Sequence, residues 1–173
     1  MSQHRNLLVC SILAVAMLIV CAGLTAAQEK KGMKMEMPKD RAMVMSKYNF
    51  EETLSNIKRA IEGKEMMVLF TPDHQEMLKM VGVQAKPMTT VEFFHPRYGK
   101  LIFMNDMAAA IEVPIRIIVM DGDMGTMITY RKPSEIFKNY KGLADMGKAL
   151  DGDLSDIVGS VAMPMPMEGK KGR

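Results

Sequence analysis

Between Glu112 and Arg131 the chain carries an apolar stretch, Glu112-Val-Pro-Ile-Arg-Ile-Ile-Val-Met120, then Asp121-Gly-Asp-Met-Gly125 and Thr126-Met-Ile-Thr-Tyr-Arg131. Val113, Ile115, Ile117 and Val119 alternate onto one side, and Pro114, Arg116, Ile118 and Met120 onto the other, the two-residue period of a pleated strand. Two glycines among two aspartates provide the left-handed backbone angles of a tight connection, and β-branched residues resume directly after it. The stretch predicts a β-hairpin, and a hairpin with one apolar side requires a sheet to join and a core to cover.

The 173 residues allow one domain with segments outside it. His4 and Arg5 precede an apolar run from Leu7 to Val20, and Thr25-Ala26-Ala27 offers small residues at the spacing of a signal-peptidase site. Residues 1–27 are therefore expected to be a signal peptide, and the protein to be exported to the periplasm. Two alternatives stay open: an uncleaved anchor, because Leu7 to Leu24 approaches the roughly 18 to 20 residues of a membrane span, and lipid attachment at Cys21. Contact with a membrane is expected only in those two cases. Both cysteines, Cys10 and Cys21, lie in this segment, so a mature chain from Gln28 has neither disulfide nor thiolate ligand. Loss of Arg5, the leader's one formal charge, takes the net charge from +3 to about +2, too small to imply nucleic acid.

Residues 28–43 are polar and lysine-rich, interrupted by Gly32 and Pro38, and read as a flexible lead-in. A single domain is expected over 44–162, and a Met/Pro and basic tail over 163–173. Met45 to Tyr48 predicts a first strand. Asn49 and Glu52 stand in capping-box spacing before a stripe of Phe50, Leu54, Ile57 and Ile61, closed by Gly63 in a left-handed position. Glu65 to Phe70, apolar on both faces, reads as a central strand. Asp73 and Glu76 open a short helix ending at Gly82, with His74, Met77, Leu78 and Val81 on its inward face. Thr89 to His95 is a strand ended by Pro96, and Lys100 to Ala110 is assigned to a helix. After the hairpin, Pro133-Ser134 begins a helical region with Ile136, Phe137 and Tyr140 inward. Gly142 and Asp151-Gly152 are expected to interrupt it.

Several of these features together resemble a known family, the bacterial and archaeal domain of unknown function 302. The residues that carry the resemblance are Ser46-Lys-Tyr48-Asn-Phe50-Glu-Glu-Thr53, then His74, Pro96 with Gly99 and Leu101, Val113-Pro114-Ile115-Arg116, Gly125 and Tyr130. In order they cover about residues 44 to 140. The resemblance implies an α+β domain of TATA-binding-protein-like or helix-grip type, a curved antiparallel sheet with packed helices, for which a homodimer is open. It implies no catalytic role. The chain departs from the family pattern at His95, where a turn residue is expected, and in using methionine for many aliphatic positions.

Methionine is the strongest compositional anomaly, with 21 residues. Met33, Met35, Met37, Met43 and Met45 lie before the body, and Met163-Pro-Met165-Pro-Met167 after it. Thioethers are soft, neutral ligands that favour Cu(I) and Ag(I) over zinc, magnesium or calcium. Two-residue spacing in an extended segment puts alternate side chains on one side, about 6 to 7 Å apart, within reach of one ion. These eight are the candidate metal ligands. Two bland readings compete: methionine as a general hydrophobe throughout the body, and methionine as a sacrificial oxidant sink.

His74 and His95 with Glu92 could supply imidazole ligands or an acid–base set, or could be hydrogen-bonded structural residues. Glu92, if its strand face lines a cavity, needs a partner, for which Arg116 is the candidate; solvated side chains on an open sheet face are the alternative. Asp121-Gly-Asp-Met-Gly125 is a turn rather than a calcium loop, because Lys132 stands where the closing glutamate would fall. No nucleophile triad, phosphate loop or cysteine zinc spacing occurs, so no enzyme activity is expected. The sequence thus predicts an exported, non-enzymatic α+β protein binding Cu(I) or Ag(I) through its methionine-rich termini, with a metal-handling protein as a further partner. The alternative is a small apolar ligand or lipid-binding module with a cavity between sheet and helices. A purely structural partner-binding domain is a third reading.

Overall fold

A computed structural model describes residues 38–164. In chain order its elements are β1 (Arg41–Met45), α1 (Phe50–Gly63), β2 (Met67–Phe70), α2 (His74–Lys79), β3 (Met88–Phe94), α3 (Pro96–Asn105), a 3-10 turn (Met107–Glu112), β4 (Ile115–Gly122), β5 (Gly125–Arg131), α4 (Pro133–Phe137) and α5 (Ala144–Gly159). The five strands form one antiparallel sheet in the order β1-β5-β4-β3-β2. The architecture is α+β, a five-stranded antiparallel sheet packed against helices, as expected.

The hairpin lies where the alternation placed it. Gly122 pairs with Gly125 across a two-residue loop, Asp123-Met124, and Gly125 has φ +110°, a conformation that favours glycine. Ile115, Ile117 and Val119 of β4 are buried with Ile128 of β5 and with Val91 and Phe93 of β3. Against this side pack Ile57 and Ile61 of α1, Tyr98 and Ile102 of α3, and Leu150, Leu154 and Ile157 of α5. Each such side chain, fully withdrawn from water, contributes about 1.5–3 kcal/mol. Asn49 caps α1 by accepting from the Glu52 N–H, and Asp73 caps α2 by accepting from the Glu76 N–H.

Other expectations need correcting. The first strand is Arg41–Met45 and not Met45 to Tyr48, so it begins inside the segment expected to be a flexible lead-in. Ser46 ends it: its hydroxyl hydrogen-bonds Thr53 Oγ1 at 2.6 Å and accepts from the Tyr48 N–H, turning the chain into α1. Helix α1 runs through Gly63, and the left-handed residue is Glu65, at φ 58°. The N–H groups of Glu65 and Met66 bond the carbonyls of Glu62 and Ile61, a Schellman closure that packs buried Met66 on Ile61. Strand β2 is an edge strand and not central; its register shifts between Val68 and Phe70, and Met67, Leu69 and Phe70 are exposed. Helix α2 has no buried residue, so the apolar stripe of Met77 and Val81 does not face the core. It is tied instead to β3 through the Asp73–Thr89 bridge and the His74–Thr90 hydrogen bond.

Pro96 opens α3 at its first turn, with His95 as N-cap. The last helical region is two helices, and Asp151-Gly152 does not interrupt the second. Asp151 accepts from the Ser134 N–H at 3.0 Å and so caps α4 from within α5. Gly147 makes that contact close: a Cβ there would lie 2.9 Å from the Pro133 carbonyl oxygen.

On the helical side, Tyr98, Arg97, Asp153, Lys64 and Asp156 join α1, α3 and α5. Tyr98 donates to Asp153 at 2.5 Å, Arg97 reaches the same oxygen at 3.0 Å, and Lys64 pairs with both Asp153 and Asp156. Burial, and then the hydrogen bond to Asp153, push the Tyr98 phenol above the ordinary tyrosine value. A phenol whose pKa is raised by folding holds its proton more firmly in the fold. Its contribution is fully present below about pH 10 and is lost as pH rises through the folded value.

Three outcomes follow from this packing. Tyr98→Phe is expected to cost about 1.5–3 kcal/mol at neutral pH by removing the hydrogen bonds that its hydroxyl makes with Asp153 and Arg97, and to make the loss of stability above pH 10 shallower, read from denaturant midpoints across pH. Gly147→Ala is expected to cost about 1–3 kcal/mol, because the added methyl meets backbone that must move. Glu65→Gly is expected to gain about 0.5–1 kcal/mol, the left-handed strain relieved less the extra glycine entropy.

Candidate functional site

The sheet's second face carries no helix-side core. Its residues are set by the same register that buries the first: 41, 43 and 45 of β1; 127, 129 and 131 of β5; 116, 118 and 120 of β4; and 88, 90 and 92 of β3. They stand in three cross-strand rows. One is charged: Arg41, Arg131, Arg116 and Glu92. The next is Met43, Thr129, Ile118 and Thr90. The third, nearest the hairpin loop, is Met45, Met127, Met120 and Met88, one thioether from each of four strands and all half-buried.

Of the expected metal ligands, Met33, Met35, Met37, Met165 and Met167 lie outside the described residues. Met43 and Met45 are in β1 rather than in a flexible end, and Met163 lies beside them: its N–H donates to the Met45 carbonyl at 2.8 Å. Lys47 N–H to Val161 O at 3.0 Å and a Ser46–Ala162 bridge complete this junction. The start of the C-terminal methionine segment is thereby fixed against the strand that ends the N-terminal one.

The histidines and Glu92 do not form one cluster. His74 Nε2 bonds Thr90 Oγ1 at 2.7 Å, His95 Nδ1 accepts from the Arg97 N–H at 2.9 Å, and Glu92 pairs with Arg116 at 3.7 Å. Glu92 and Arg116 do pair, but on the face away from the core, with Arg116 exposed. Among the described residues no group of three or more His, Cys, Asp and Glu side chains is placed to hold a metal ion.

A cavity of about 220 Å³ lies at the charged end of the sheet, lined by residues that include Arg41, Arg116, Arg131, Glu112, Pro114 and Ile118. Arg131 pairs with Asp40 at 3.2 Å and with Glu112 at 3.4 Å, and Tyr140 donates to Glu112 at 2.9 Å. That hydrogen bond, followed by burial, raises the Tyr140 phenol above its ordinary value. Arg131 is thus matched by Asp40 and Glu112 and Arg116 by Glu92, whereas Arg41 makes no ion pair among the described residues.

Met88, Met120 and Met127 are site candidates that the sequence reading assigned to the body as hydrophobes. A local signal for two of them exists: Met120 falls on the non-core side of the predicted strand, and Met127 is its partner once a two-residue loop is assumed. Met88 has no such signal, because its place depends on the pairing of β3 with β4.

Among curated proteins, none matches the chain. A crystal structure of an uncharacterized conserved protein DUF302 from Bacillus stearothermophilus superposes with a TM-score of 0.66 at 16% identity, covering 72% of this chain and 99% of that one, which shows a shared fold. The family profile described as "Domain of unknown function DUF302" matches residues 43–161, from the strand holding Met43 and Met45 to Val161, two residues before Met163. The chain belongs to the DUF302 family.

Proposed function

We propose that this is an exported, non-enzymatic protein that binds Cu(I) or Ag(I) through the thioethers of its methionine-rich segments. The observation that carries the reading is the backbone junction between Met163 and Met45. It joins two segments more than a hundred residues apart in sequence at one edge of the sheet, so that Met43-Val-Met45 and the start of Met163-Pro-Met-Pro-Met167 share a location. Thioethers carry no proton to lose and bind where thiols are oxidised, which suits a chain whose cysteines both lie in its leader.

The distribution of methionine supports the same reading. If methionine merely replaced aliphatics, the core would hold its share. Among the described residues, only Met66 and Met146 are in the set of buried hydrophobics, which is otherwise isoleucine, valine, leucine, phenylalanine, tyrosine and alanine. Met43, Met124 and Met163 are exposed instead.

The small-ligand or lipid-binding reading draws less from the geometry. Val91, Phe93, Ile117, Val119 and Ile128 are fully buried at the sheet–helix interface where its pocket was expected. The cavity at the charged end is smaller than the roughly 300 Å³ at which small-molecule sites begin.

The test is competition of the full chain against a Cu(I) chelator. Replacing Met33, Met35, Met37, Met165 and Met167 with leucine leaves every strand intact. It is expected to weaken competition by about tenfold or more, a difference of about 1.4 kcal/mol or greater. A titration unchanged by these substitutions rejects the terminal assignment.

A further inference from the structure

We infer that the cross-strand row Met45, Met127, Met120 and Met88 is itself a binding site for one soft monovalent cation, built on the folded sheet and sharing only Met45 with the terminal set. The inference rests on the thioether reading above and extends it from the chain ends to the body of the domain.

The register alone brings these four together. Met45 is opposite Met127, Met127 opposite Met120, and Met120 opposite Met88. Neighbouring strands lie about 4.8 Å apart, so three consecutive members of the row span roughly 10 Å at the backbone. Methionine has three rotatable bonds beyond Cα and can close that span onto one ion. Three thioethers suit a monovalent coinage ion, which accepts low coordination by soft sulfur.

The hairpin glycines shape one border of the row. Gly122 and Gly125 occupy the next cross-strand positions on the same face and carry no side chain. The Met127 methyl lies 3.2 Å from where a Cβ on Gly122 would be, and the Met45 methyl 3.7 Å from one on Gly125. Both methyl tips therefore lean over the glycines toward the loop end of the row, in space that a side chain at 122 or 125 would take. On the other border stand Met43, Thr129, Ile118 and Thr90, without a carboxylate. The acids at its two ends are already paired: Asp123, at the loop end, with Lys86, and Glu92, in the charged row beyond, with Arg116. The four members of the row offer a hard divalent ion no anionic oxygen, so the row discriminates by ligand chemistry rather than by charge.

The experiment uses the full chain with methyl-labelled methionine and Ag(I) as the probe. Titration is expected to move the methyl resonances of Met120 and Met127 with at least one of Met45 and Met88. The terminal variant with leucine at 33, 35, 37, 165 and 167 is expected to retain one tightly bound Ag(I). Met120→Leu combined with Met127→Leu, a nearly volume-conserving change that keeps the fold, is expected to weaken that remaining ion at least about tenfold. If Ag(I) moves only resonances outside the row, or if the terminal variant binds no ion, the row assignment is overturned while the terminal reading stands. If the terminal variant binds as the parent does and the row substitutions remove binding, the row stands and the terminal reading falls. Equal binding by all variants overturns both.

Discussion

The register of the β4–β5 hairpin governs the whole molecule. Because side chains alternate strictly, fixing Gly122 opposite Gly125 settles at once which residues are withdrawn from water and which remain outside. Ile117 and Val119 go to the helices with Ile128, and Met120 and Met127 go to the other face. A slip of one residue would move Ile115, Ile117 and Val119 out of the core and carry Arg116, Ile118 and Met120 into it. The core's stability therefore enforces the outer face's arrangement, including features on that face that contribute little to stability themselves.

The remaining strands inherit this constraint from both sides. Strand β3 pairs with β4 over six positions, and β1 pairs with β5 over five, so the two faces stay in phase from one strand to the next. Polar groups then close the ends of the chain onto the sheet. Ser46 and Thr53, both buried, hydrogen-bond one another, and Ser46 also reaches the Val161 carbonyl. No buried side-chain nitrogen or oxygen among the described residues lacks a partner. The junction of Met163 with Met45 is thus part of a satisfied backbone network and not a loose approach of two termini.

What could be read in the sequence was what short-range chemistry specifies. The hairpin was legible because period-two alternation and a glycine-bounded loop occur within twenty residues, and Asn49 and Asp73 were legible because a cap is made within one turn. Strand β2 was misplaced as central because apolar residues on both faces also occur at an edge blunted by a register shift. The stripe on α2 has helical spacing but no surface to cover, since the helix is held by hydrogen bonds to β3 rather than by burial. The Tyr98–Asp153 contact and the methionine row were hidden for another reason. Each depends on which distant segments become neighbours, and spacing along the chain carries no trace of that. The methionine excess was readable from composition; that Met43 and Met45 are strand residues rather than part of a flexible end was not, because it depends on the pairing of β1 with β5.

The methionines of the described chain fall into populations that different physical demands would select. Met66 and Met146 are buried and fill core space as any flexible hydrophobe does. Met80 and Met124 are more than four-fifths exposed, the condition under which a thioether reacts readily with an oxidant and is reduced again afterwards. The row of Met45, Met127, Met120 and Met88 meets neither demand well. Half-buried sulfur is a poorer scavenger than exposed sulfur, and a solvent-side row adds less to stability than the same residues would in the core. What the row has, and the other two groups lack, is mutual alignment: four thioethers at the strand spacing, with glycine on one border. Core filling requires no such alignment, and scavenging gains nothing from it. Coordination of a single soft ion is the demand for which convergence of several thioethers is the decisive property.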